Sequence, residues 1–139
     1  MMLDESRRSI DNQLSELDEL RSRGASAMGF AGVVAGIALA HSGGSDVLKA
    51  AIGVSAILSA AFAGYVLLPV TLLVNMSASG IGTTFRSAAT PSDAMETMAL
   101  YMEGNYRSNA TALKNRHDAL FGSLFALGLE VVFVGLLLL

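Results

Sequence analysis

Glu130 is a carboxylate inside an otherwise uncharged apolar segment, Ala119–Leu139. A charged side chain at the centre of a membrane-spanning helix costs about 2.5–3.5 kcal/mol on insertion scales, and it usually faces the bundle interior or water. Two interpretations follow. Either Glu130 lines a pore or binds a proton, or it is a buried protonated carboxyl that hydrogen-bonds to polar residues of the preceding apolar segment. Those residues are Ser55, Ser59 and Tyr65.

A second candidate site is the polar stretch YRSNATALKNRHD, which ends directly before Ala119. On a helix its basic side chains lie on neighbouring turns, and two arginines that precede the first apolar segment are expected at the same depth. Such a cluster suits an anionic headgroup or a phosphate ligand. The alternative is a charge cluster that only fixes the topology. The residues concerned are Arg21, Arg23, Arg107, Lys114, Arg116 and His117.

No motif in the sequence predicts catalysis. There is no nucleophile–base pair by motif, no phosphate-binding glycine loop and no metal-ligand spacing. The chain has no cysteine, which excludes disulfides and thiolate metal sites. Its net charge of -3 is too small to indicate a nucleic-acid partner. We therefore expect a protein that is not an enzyme and that uses no cofactor or metal.

The composition predicts that membrane-spanning helices position these residues. Of the 139 residues, 53% are hydrophobic but only 6% are aromatic, which is typical of helices packed in lipid. Three long stretches have almost no charge, and the turn HSGGSD joins the first two as an antiparallel hairpin. The expected fold is an all-α membrane protein with three transmembrane helices, at about 25–42, 47–76 and 119–139. Pro69 is expected to kink the second.

The basic residues predict how these helices are oriented. Three spans place the two polar segments, 1–24 and 77–118, on the same side of the membrane. Eight of the nine Lys and Arg residues lie in these segments, and Lys49 alone is near the opposite face. The positive-inside rule then predicts a multi-pass protein of the cell (inner) membrane whose N-terminus is cytoplasmic. We expect no cleaved signal peptide, because the first apolar stretch follows a long charged one.

The two polar segments are predicted to be helical extensions of the first and third spans. Leu3, Ile10 and Leu17 recur every seven residues, and so do Ala99, Tyr106, Leu113 and Leu120. Paired as a coiled coil, these stripes would form a short stalk. Residues 77–90 are rich in Ser, Gly and Thr and are predicted to be a linker. Thr90, Pro91 and Asp93 then predict a capped start for the helix over 91–118.

Small residues are frequent in all three spans. They allow helices to approach closely in lipid. They serve either packing within one chain or contacts with further helices from other copies. The residues expected at such contacts are Gly29, Gly32, Gly36, Gly53, Ala60, Gly64 and Gly122.

Two segments resemble a known family. LDELRSRGASAMGFAGVVAGIALA is a charged helix that runs through small residues into a span, and YMEGNYRSNATALKNRHDALFGSLFALGL is a polar helix that enters a last span. Together they resemble the SLATT-like and Pycsar-type transmembrane effectors of antiphage signalling. The resemblance implies an antiviral defence protein that breaches the inner membrane. It also implies a nucleotide ligand, although the chain has no clear nucleotide pocket.

The sequence therefore favours a homo-oligomeric membrane protein, pore-forming when its cytoplasmic helices are triggered. Its expected partners are membrane lipids and other copies of itself. The alternative is a non-conducting accessory or scaffold subunit, which would pack against a second membrane protein.

Overall fold

The structure, a computed structural model, describes residues 2–41, 43–70, 72–73 and 78–139. The described residues form four helices and no strand, so the all-α prediction is confirmed. The helices are α1 (Met2–Ala40), α2 (Asp46–Leu67), α3 (Ala78–Ser87) and α4 (Pro91–Leu138).

Helices α1, α2 and α4 are long enough and apolar enough to cross a membrane. With 39 and 48 residues, α1 and α4 rise about 58 Å and 72 Å at about 1.5 Å per residue. Both lengths exceed the hydrocarbon core of a bilayer, about 30 Å. Each of these two helices therefore joins one apolar span to one polar half without a break.

The start of α4 is capped as the sequence predicts. The backbone N–H of Thr90 donates to the Asp93 carboxylate at 3.1 Å, and the N–H of Asp93 donates to the Thr90 hydroxyl at 3.2 Å. This reciprocal pair satisfies two donors that a helix start leaves free. Pro91 follows at the first helical position, where its missing N–H costs nothing.

Helix α2 ends before Pro69 instead of bending at it. The backbone of Leu68 is extended, with φ -55° and ψ 138°, because a following proline disfavours the helical conformation. The second long helix therefore covers 46–67 and not 47–76 with a kink. The predicted end of that span at Met76 lies outside the described residues.

Most of the predicted linker 77–90 is a helix, α3. Its hydroxyl side chains bond to carbonyl groups one turn earlier, from Thr83 and Thr84 to Gly80 and from Ser87 to Thr83. These residues favour turns in general, but here they bond along the helix. Residue 77, where the linker was expected to begin, lies outside the described residues.

The chain divides into two compact units. Unit 1 comprises Met1–Leu17 and Val70–Lys114, and unit 2 comprises Asp18–Pro69 and Asn115–Leu139. In unit 1, α1 and α4 are joined by a hydrogen bond of 3.1 Å from the Gln13 side chain to the Tyr106 carbonyl. The buried apolar residues of unit 1 on these two helices are Ile10, Leu17, Ala94 and Leu113.

The buried stripe of unit 1 lies one residue away from parts of the predicted one. Tyr106 of the predicted stripe is exposed, and its polar neighbour Asn105 is buried. On α1, Leu14 in the row beside the predicted stripe is exposed, and its polar neighbour Gln13 is buried. Leu17 and Leu113 are buried as expected. The buried contact between α1 and α4 in unit 1 is therefore more polar than the spacing of its leucines predicts.

Unit 2 packs its three helices around an apolar cluster. Ala38 of α1, Ile52 of α2 and Leu137 of α4 belong to it, with Val134 beside them. Further along, α1 and α2 approach at Gly24, where an added Cβ would lie 3.2 Å from the Val66 side chain.

The turn between α1 and α2 depends on Gly44. Of the described residues, Gly44 alone has a positive φ, +89°, a conformation that side chains with a Cβ rarely adopt. An added Cβ would also collide with the Leu137 side chain in the apolar cluster.

We expect Gly44→Ala to lower the free energy of unfolding by about 1–3 kcal/mol, since it combines backbone strain with a steric clash. Gly43→Ala is the matched control, because Gly43 has no positive φ. Denaturant titration in mixed micelles measures both variants. Equal losses in the two would contradict this account of the turn.

Candidate functional site

The buried face of α4 carries four polar residues at intervals of seven. They are Asn109, Arg116, Ser123 and Glu130, and we call them the polar stripe. A spacing of seven is two helical turns, so these side chains point in nearly the same direction. All four are buried. A buried polar group needs a hydrogen-bond partner.

Asn109 holds an extended piece of chain in unit 1. Its side-chain oxygen accepts from the N–H of Leu73 at 2.9 Å, and its side-chain nitrogen donates to the carbonyl of Leu73 at 3.1 Å. The same nitrogen lies 3.2 Å from the side-chain oxygen of Gln13. One amide thus pairs with both backbone groups of Leu73 and connects them to α1.

Arg116 caps the end of α2. Its guanidinium donates to the carbonyls of Tyr65, at 3.1 Å, and Val66. The carbonyl of Tyr65 lacks its usual donor four residues on, because Pro69 has no N–H. The guanidinium also lies 5.6 Å from the centre of the Tyr65 ring, within cation–π distance. A cation at a helix C-terminus is further favoured by the helix dipole.

Ser123 joins α4 to α2 through a reciprocal pair with Ser59. The Ser59 hydroxyl donates to the Ser123 carbonyl at 3.1 Å, and the Ser123 hydroxyl donates to the Ser59 carbonyl at 3.0 Å. The two hydroxyl oxygens are 3.2 Å apart. Both side chains are fully buried, so this pair links two apolar helices without leaving either hydroxyl unsatisfied.

Glu130 is the exception in the polar stripe. It is 0% exposed, and among the described residues neither carboxyl oxygen has a hydrogen-bond partner. The backbone amide of Ala35 on α1 approaches the carboxyl. However, inside a helix that N–H already donates to the carbonyl four residues earlier. Glu130 therefore lies inside a single chain, without a donor.

The partners that the sequence suggested for Glu130 are arranged differently. Ser59 bonds to Ser123, and Tyr65 is partly exposed at 45%. Ser55 is buried on the same face of α2, with no bond to the Glu130 carboxyl. Glu130 also does not reach the outer surface of the chain, so in this conformation it does not line a channel between copies.

In the second candidate site, three basic residues pair with carboxylates of their own helices. Arg107 bonds to Glu103 at 2.6 Å, and Arg23 bonds to Glu19, each pair one turn apart. Arg21 lies 3.9 Å from Asp18. Exposed pairs of this kind contribute little to stability. The exposed residues of the set are Arg23, Arg107, Lys114 and His117.

Arg116 differs from the rest of that set. Its guanidinium contacts the carbonyls of α2 from a buried position, whereas the prediction placed it on an exposed anion site. Among the described residues, no group of three His, Asp or Glu side chains is arranged to hold a metal ion.

The small residues divide into two groups. At Gly64 and Gly122 an added Cβ would lie 3.6 Å from Met28 and 3.3 Å from Phe62, so these glycines serve packing inside unit 2. Ala60 is half-buried. The other predicted contact residues have open space where a Cβ would be, within the described part of the chain. They are Gly29, Gly32, Gly36 and Gly53.

Sequence reasoning missed the polar stripe, although a signal for it was present. The heptads predicted from the sequence consist of leucine, isoleucine, alanine and tyrosine, and they leave out the polar residues with the same spacing. Only Glu130 and Arg116 were singled out, each for a different reason. Asn109 and Ser123 were not, because a polar residue on a helix is usually solvated.

Comparison with protein-family models, with curated proteins and with solved structures finds no match for this chain. The resemblance to SLATT-like effectors therefore stays a prediction.

We expect Arg116→Met to lower the free energy of unfolding by about 2–3 kcal/mol, because it removes two charge-assisted hydrogen bonds and leaves the end of α2 uncapped. Arg107→Met is the matched control, since it breaks only an exposed pair and should change stability by less than about 1 kcal/mol. Denaturant titration in mixed micelles measures both. If the two variants lost the same stability, Arg116 would not be the cap of α2.

Proposed function

We propose that this chain is a multi-pass membrane protein that assembles with copies of itself. The observation that carries the proposal is the open glycine face of α1, formed by Gly29, Gly32 and Gly36. No neighbouring atom lies within 4 Å of a Cβ placed at any of them, within the described part of the chain. In lipid, helices associate through faces of small residues, because these faces allow close backbone contact. A second copy of this chain is the occupant we propose.

The low burial of the apolar helices supports this proposal. In the most apolar 18-residue windows of α1, α2 and α4, 22%, 28% and 33% of the residues are buried. Large apolar side chains flank the open glycines, among them Phe30, Val33 and Ile37. In water such a surface would cause aggregation. In a bilayer, lipid and other copies would cover it.

The proposed location is the cell (inner) membrane, with the polar halves of α1 and α4 in the cytoplasm. The asymmetry of Lys and Arg supports this orientation. The proposed activity is that of a pore-forming effector, triggered at these cytoplasmic halves. A nucleotide trigger and a role in antiviral defence rest on the resemblance to SLATT-like effectors alone.

The second candidate function is a non-conducting accessory or scaffold subunit. The burial of Glu130 inside one chain favours it, since a channel lined by Glu130 requires α4 to turn this residue outwards. In this alternative, the open glycine face packs against a different membrane protein. The two candidates differ in what the purified chain does by itself.

We expect Gly32→Leu and Gly36→Leu to weaken self-association at least about tenfold, because a leucine side chain separates the two backbones. Gly135→Leu is the matched control. Gly135 is an exposed glycine of α4 that also has no neighbour within 4 Å, but it lies on another helix. The measurement is the mass of the purified assembly in detergent. A monomeric parent chain, or an equal loss in all three variants, would reject the glycine face of α1.

Orientation is tested with a reporter that is active only in the cytoplasm. Fused before α1, it should be active, because both polar halves are proposed to be cytoplasmic. Fused after Leu139, it should be silent, because three crossings place that end outside. Activity of the second fusion would reject this topology.

A further inference from the structure

We propose that Glu130 destabilises the packing of α4 in unit 2 and biases it towards a second arrangement, in which the Glu130 carboxyl group reaches water. The inference rests on the proposed function, because within a bilayer water can meet the outer side of α4 only where copies of the chain enclose it.

The first support is the comparison within the polar stripe. Arg116 bonds to two carbonyls that α2 leaves free, and Ser123 shares two hydrogen bonds with Ser59. Glu130 follows at the same spacing on the same face, with no partner among the described residues. A polar stripe whose other three members are hydrogen-bonded, and whose fourth is an unsatisfied carboxyl, is under strain at that residue.

The second support is the apolar nature of the surroundings. Ala126 and Val134, one turn before and one turn after Glu130, are both buried, and Val134 belongs to the apolar cluster of unit 2. The span of α1 from Ala25 to Ala40 contains no charged residue. These surroundings disfavour the carboxyl in either of its protonation states, since even a neutral acid leaves its hydrogen-bonding groups unsatisfied.

The third support is that the outer side of α4 is apolar as well. Phe121, Phe125 and Val132 are exposed on its outer side, and Gly128 and Gly135 have no neighbour within 4 Å of an added Cβ. Rotation of α4 therefore exchanges one apolar surface for another while it releases Glu130. The hydrogen bonds of Arg116 and Ser123 oppose this rotation in unit 2, and those of Asn109 oppose it in unit 1.

The test uses the full chain in lipid nanodiscs. Because the sequence has no cysteine, one introduced cysteine reports on one position. Ala126→Cys places a thiol on the buried face, one turn from Glu130. The measured quantity is its rate of labelling by a membrane-impermeant maleimide. Ser15→Cys, at an exposed position of α1, is the control and should label equally in every variant.

With Glu130→Leu added, labelling of the cysteine at position 126 should slow about tenfold, because an apolar side chain removes the unsatisfied group. Glu130→Met should give the same result, and it serves if the leucine variant does not fold. Glu130→Gln keeps a polar group without a partner and should label like the parent. Equal or faster labelling with both Leu and Met, or no labelling of the parent, would overturn the inference.

The same nanodisc samples separate this inference from the proposed function. Their mass reports self-association independently of labelling. Monomeric samples would reject self-assembly and this inference with it. Oligomeric samples in which neither Leu nor Met at position 130 slows labelling would reject the role of Glu130 alone.

Discussion

The three apolar helices of unit 2 depend on one constraint: a polar group buried among them must find its partner inside the protein. Lipid offers no hydrogen bonds, and apolar surface alone does not tell one helix from another in lipid. The polar stripe of α4 therefore specifies the packing. Ser123 forms hydrogen bonds with Ser59 on α2, and Arg116 donates to the carbonyls at the end of α2. Together they fix both the position of α2 along α4 and the face that it presents.

At the end of α2, Pro69 leaves a carbonyl without a donor, and Arg116 supplies one. Pro69 stops the helix and leaves the carbonyl of Tyr65 without a backbone donor. Arg116 supplies that donor from a different helix. A kink, which the sequence suggested, would have kept α2 continuous and left Arg116 free for an external anion. Because α2 ends before Pro69, Arg116 has a structural role at the end of that helix and not the ligand-binding role that the sequence suggested.

The predictions that succeeded rest on local or additive signals. Helix content, the three apolar stretches and the cap at Thr90 and Asp93 follow from composition, periodicity and a three-residue spacing. The end of α2 was missed because Pro69 was interpreted as a kink within a longer helix. The helix over Ala78–Ser87 was missed because its Ser, Gly and Thr residues are typical of a linker.

The candidate site was less predictable, because partners distant in sequence create it. Nothing near Arg116 indicates a bond to Tyr65, and nothing near Glu130 indicates that Ser59 already has a partner. The open glycines of α1 could be found as a pattern, whereas their lack of neighbours inside the chain could not. Spacing identifies which residues share a face, but the structure decides which of them are satisfied.

The role of the polar stripe in packing is tested most directly by the free energy of unfolding of two variants in a bilayer. Ser123→Ala should lose about 0.6–1.7 kcal/mol, the range for hydrogen bonds between helices in lipid. Glu130→Leu should be neutral or gain up to about 4 kcal/mol, because it replaces a buried unsatisfied carboxyl with an apolar side chain. The predicted result is that Ser123→Ala lowers the free energy of unfolding, whereas Glu130→Leu raises it or leaves it unchanged. A clear loss of stability in Glu130→Leu would mean that the carboxyl has a stabilising partner, and would contradict the account.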